Sequence, residues 1–133
     1  MERRKNMRLP LRLLGHLSLD GVQYHPTETR DISLNGGLFR HALTGCTNRQ
    51  CTLNLFTAGT NVFSISIQGL TVYENDAGCG IKFLSMDTAD FVGFKEFLAN
   101  QVPTPYAIHR EFLEGPRPQL TARSSFLSAY SYS

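Results

Sequence analysis

Hydrophobic and polar positions alternate with a period of two through most of the chain up to about residue 85, then switch to helical spacing. A first strand is predicted over residues 11–19, behind Pro10, which lacks an N–H and biases Leu9 away from the helical region. Asp20-Gly21 reads as a hairpin turn, and the return begins at Val22 before His25-Pro26 interrupts it. A strand over 28–33 breaks at Asn35-Gly36-Gly37, where the Asn-Gly pair offers a position tolerant of positive φ, and continues over 38–43. Cys51, Leu53 and Leu55 alternate with Thr52, Asn54 and Phe56, and residues 62–67 repeat the period, so both segments are strands. Residues 70–73 and 80–84 make a last hairpin around a turn at 74–78.

Past this point the spacing is helical. Phe91, Phe94, Phe97 and Leu98 share one face behind a capping residue, Asp87 or Thr88, and aromatic residues so spaced belong to a core. A shorter helix is predicted from Thr104, with Pro105 at its first position; it turns Ile108, Phe112 and Leu113 to the body and stops at Gly115-Pro116. Antiparallel strands followed by helices at one end predict a mainly β fold, a closed or nearly closed barrel with one or two C-terminal α-helices. The expected organisation is an arm over 1–12, the barrel with its helices over 11–115, and a flexible tail over 116–133, rich in serine with two prolines.

Composition narrows the function classes. At 133 residues and 41% hydrophobic, the chain holds one domain with a real core. Its apolar runs are too short to cross a bilayer, and no apolar stretch follows the basic start, so neither membrane insertion nor secretion is expected. Cys46, Cys51 and Cys79 are odd in number and lack metal-site spacing, which points to reduced thiols in a cytoplasm. The net charge of +2 is unevenly placed: Arg3, Arg4, Lys5, Arg8 and Arg12 face Glu2 alone within the arm, leaving it at +4 and the rest of the chain at −2. That split suggests an anion-binding N-terminus on a near-neutral body.

The side-chain chemistry sharpens this. Arg4 and Arg8, four residues apart, share a face and can reach one ligand; a guanidinium matches phosphate oxygens and the O6 and N7 acceptors of guanine. Asp31 and Ser33 share a strand face, and Gly36 and Gly37 follow with bare N–H groups. A carboxylate accepts from guanine N1–H and N2–H₂, whereas a hydroxyl and free amides suit a phosphate. Together the two clusters describe a guanine nucleotide site.

Arg4-Lys5-Asn6-Met7-Arg8 and Asp31-Ile32-Ser33-Leu34-Asn35-Gly36 resemble the RxxxR and (D/N)xSxxG signatures of PilZ domains. The run Gly36-Gly37-Leu38-Phe39 and Gly80-Ile81-Lys82-Phe83 before a closing helix are also similar to that family, and the resemblance covers about residues 2–100. It implies a six-stranded antiparallel barrel that binds the bacterial second messenger cyclic di-GMP. Arg4 and Arg8 would clamp guanine edges and phosphate, Asp31 would read a guanine, Ser33 would meet a phosphate or base edge, and Gly36 and Gly37 would let the backbone approach. Arginine at Arg3, just before the motif, goes in this family with two intercalated ligand molecules, whereas a bulky apolar residue there goes with one.

The expectation is a cytoplasmic, monomeric receptor whose arm orders over cyclic di-GMP and changes the surface shown to a downstream protein. The alternative is a PilZ-like adaptor that acts through protein contacts without ligand. A nucleic-acid polymer is not expected as partner, since the arm has no aromatic stacking platform. No catalytic residue or cofactor is expected, because no nucleophile motif or phosphate loop occurs. No metal is expected either: His16, His25, His41 and His109 are scattered, and His41, Cys46 and Cys51 lie among loop residues.

Overall fold

The computed structural model describes residues 8–19, 22–23, 27–40, 47–57 and 63–122. Among these residues eight strands and two helices follow in the order β1 (Leu14–Leu19), β2 (Val22–Gln23), β3 (Thr27–Ser33), β4 (Gly36–Phe39), β5 (Gln50–Phe56), β6 (Ser64–Asn75), β7 (Gly78–Asp87), α1 (Thr88–Ala99), α2 (Pro105–Glu114) and β8 (Gln119–Thr121). The sheet runs β1-β3-β4-β7-β6-β5, and β5 pairs back onto β1 from Leu14↔Phe56 to Ser18↔Thr52. This closes a six-stranded antiparallel barrel; β2 extends the β1 edge, and β8 pairs with β7 outside the ring. The turn at Asp20-Gly21, the His25-Pro26 interruption and residues 41–43 lie outside the described residues.

Alternating side chains fill the barrel. Leu17 and Leu19 of β1, Leu53 and Leu55 of β5, Ile65 and Ile67 of β6 and Ile81 and Phe83 of β7 are buried while their neighbours face out. One end is plugged by α1. Asp87 starts that helix, its Oδ2 accepting from the N–H groups of Ala89 and Asp90 at 2.9 and 3.3 Å. Phe91, Phe94 and Leu98 are then fully buried, and Phe97 stacks on Phe63 with ring centroids 4.6 Å apart. The aromatic face is therefore core. Truncating a buried phenylalanine of this kind costs roughly 3–5 kcal/mol.

Several boundaries differ from the sequence reading. The segment before β1 is not regular strand: Leu11 N–H donates to the Leu9 carbonyl across Pro10, and Leu9 makes an isolated bridge with Ile32. Thr29 holds this segment, its Oγ1 donating to the Leu11 carbonyl and accepting from Leu13 N–H. The turn after β3 falls on Leu34-Asn35, and Gly36 and Gly37 belong to β4. Positive φ occurs at Gly78 and Asn48 among the described residues, not at Asn35-Gly36. The expected strands 62–67 and 70–73 are one strand, β6, kept continuous through Gly69 by register shifts at Gln68/Gly69 and Thr71/Tyr73. In α2, Ile108 is buried but Leu113 is 71% exposed, so Leu113 does not face the body. Gly115 ends the helix in extended backbone. Within the segment read as a tail, residues 119–121 form β8, parallel to residues 85–87 of β7. No helix among the described residues is long and apolar enough to cross a membrane.

Candidate functional site

The Leu9–Ile32 bridge sets the site. Leu9 N–H donates to the Ile32 carbonyl at 2.8 Å, and Ile32 N–H returns a bond to the Leu9 carbonyl at 2.9 Å. The bridge is antiparallel, so Arg8 lies across from Ser33 and diagonal to Asp31 on the same face, and its long side chain spans that diagonal to meet Asp31. Arg8 Nε and Nη2 donate to Asp31 Oδ1 at 3.0 and 2.7 Å, with both side chains a little under one-third exposed. Partial burial pulls the Arg8 pKa down, but the hydrogen bond and charge of Asp31, with Tyr73 acting in the same sense, raise it on balance. Arg8 is a fixed cation.

A cleft of about 300 Å³ opens beside this pair on the outside of the barrel. Its floor is made by Gly36 and Gly37 of β4, which pair with Lys82 and Ile81 of β7, together with Gly80. These glycines are required by close approach. A β-carbon on Gly36 would stand 2.7 Å from the Ile81 carbonyl oxygen, and one on Gly37 2.8 Å from the Ile32 side chain. Arg8 and Ser33 wall one side, and Val72, Tyr73 and Lys82 the other. Pro116 closes a corner as the chain leaves α2 for β8.

Of the residues singled out from sequence, Arg8, Ser33, Gly36 and Gly37 line the cleft, and Asp31 adjoins it through Arg8. Arg3 and Arg4 lie outside the described residues. Ser33 is buried, and its hydroxyl donates to the Gly36 carbonyl at 3.1 Å and accepts from Asn35 N–H at 3.2 Å. It therefore shapes the turn that carries the glycines. Tyr73, Lys82 and Pro116 were missed. Tyr73 sits directly across from Gly80 in the β6–β7 register, 39% exposed, with its ring lying over that glycine.

Among the described residues no group of three or more histidine, cysteine or acidic side chains could hold a metal ion. Cys51 and Cys79 are buried free thiols, while His25, His41 and Cys46 lie outside the described residues. The cleft thus offers guanidinium and ammonium donors, an aromatic face and a glycine floor open to a flat, anionic molecule. The family model for the PilZ domain matches residues 2–100, which takes in every strand of the barrel and all of α1. No curated protein matches the sequence.

Proposed function

The chain belongs to the PilZ domain family, a family of cyclic di-GMP receptors, and from that footing we propose that the cleft beside Arg8 is its cyclic di-GMP site. One observation carries the reading. The second arginine of RxxxR is paired with the first residue of (D/N)xSxxG, at the rim of a cleft floored by Gly36, which ends the second motif, and by Gly37 after it. Arg8 and Asp31, 23 residues apart in sequence, meet on one surface.

In this reading Arg8 binds phosphate and the guanine edge, Asp31 accepts from guanine N1–H and N2–H₂, and Arg3 and Arg4 close over the ligand from the arm. Tyr73 presents a ring against which a purine can stack. The closed arm alters the surface available to a downstream protein. Two intercalated ligand molecules are the proposed stoichiometry, because four phosphate charges and an outer guanine give a third guanidinium, Arg3, something to bind.

Calorimetric titration of cyclic di-GMP into the purified protein tests this. Saturable binding near two ligands per chain, reduced to one by Arg3→Leu, is the expected result. Absence of binding leaves the adaptor reading in its place, and a wild-type value near one removes the role given to Arg3.

A further inference from the structure

We propose that Lys82 is a phosphate-binding residue of this cleft, supplying from the barrel itself a cationic contact that does not depend on the arm. The inference rests on the cyclic di-GMP reading above and deepens it.

The register places the side chain. Lys82 on β7 is opposite Gly36 on β4, and it is exposed while its neighbours Ile81 and Phe83 are buried. Gly80, two residues earlier and so on the same face, lies beneath the Tyr73 ring. Lys82 therefore rises beside the aromatic wall, over a floor with no side chain at Gly36 to block its reach.

Charge gives it a task. Arg8, Arg12, Arg40, Lys95 and Arg110 each sit in an ion pair with a carboxylate. Lys82 lines the cleft with no such partner among the described residues. The charge of Arg8 is offset by Asp31, so the excess positive charge on the described lining of the cleft comes from Lys82. A cyclic dinucleotide brings two phosphodiester charges. An ammonium on a flexible stem, with three donors and no fixed geometry, suits a phosphodiester oxygen approaching from any of several directions.

The test is cyclic di-GMP calorimetry on the full chain at low and moderate salt, for wild type, Lys82→Met and Lys82→Arg, with thermal unfolding of each. Lys82→Met keeps the stem and removes the charge. It is expected to weaken binding about tenfold, the loss of one charge-assisted contact, and to flatten the salt dependence, while Lys82→Arg stays near wild type in both. Unfolding midpoints should be unchanged, since the residue is at the surface. Binding by Lys82→Met with wild-type affinity and salt dependence overturns the role of Lys82 and leaves the receptor reading standing. Weakening without any change in salt dependence also overturns it, since that is the mark of altered packing. Failure of the wild type to bind overturns both.

Discussion

Arg8 spends two of its donors on a single oxygen of Asp31, Oδ1, and the second carboxylate oxygen takes no hydrogen bond from the described residues. The pair is therefore oriented without being saturated. The Asp31 carboxylate keeps an acceptor for a base edge, and the Arg8 guanidinium keeps donors for a phosphate or guanine.

Arg8→Ala should accordingly weaken cyclic di-GMP binding at least tenfold, because charge-assisted contacts are worth roughly 1.5–3 kcal/mol each. Stability should change by less than about 1 kcal/mol, since the ion pair is partly exposed. Asp31→Ala should lose discrimination between cyclic di-GMP and cyclic di-AMP more than it loses phosphate affinity. Competition calorimetry with the two dinucleotides checks this, and retained discrimination would move guanine reading to another residue.

Tyr73 provides a second test. A stacking platform needs the ring and not the hydroxyl, so Tyr73→Phe should bind within about threefold of wild type, whereas Tyr73→Ala should lose on the order of tenfold, about 1–1.5 kcal/mol. Equal losses in the two variants would assign the effect to the hydroxyl near Arg8 instead.

Much of the barrel was legible because inward and outward faces differ in polarity, and a period of two follows directly. Boundaries failed where a local signal was overridden by tertiary packing. The strands read over 62–67 and 70–73 leave a gap that β6 crosses at Gly69: a β-carbon there would stand 2.9 Å from Ile81 and 3.4 Å from the Cys51 sulfur, so the glycine answers crowding rather than a turn. Within the site, Asp31, Ser33 and the glycines were readable as a motif. Tyr73 and Lys82 were not, because a tyrosine near a strand end and a lysine on an outward position are ordinary strand residues. Only the cross-strand register, with its shift between Thr71 and Tyr73, brings them to the glycine floor. The segment 119–121 carries too short a pattern to declare a strand, and its partner lies more than thirty residues away.

Gly93 lies inside α1, exposed, with open space where a β-carbon would sit. No contact requires the glycine, so Gly93→Ala should stabilise the fold by roughly 0.5–1 kcal/mol through reduced freedom of the unfolded chain and better helix propensity. Urea unfolding measures it. A loss of stability would show that this helix position is constrained by something other than the open space around it.

Cys51 gives a pH signature. Burial, helped by the nearby Cys79 and partly offset by a Gly69 hydrogen bond, pushes its thiol from 9.0 up to about 11. The folded state keeps the proton where the unfolded state releases it. Stability from this group is thus fully present below pH 9 and is lost as the pH rises toward 11, by on the order of 2 kcal/mol. The stability gap between wild type and Cys51→Ala should narrow over that range, and a gap that stays constant would refute the assignment.

The short pairing of β8 with β7 has a consequence for solution behaviour. β4 covers one side of β7 only over residues 79–82, and residues 85–87 on that strand are paired with β8 instead. A chain ending at Gly115 would keep the closed ring but leave three residues of strand edge bare. Unpaired edges recruit other chains, so a chain so shortened should aggregate more readily than the full one.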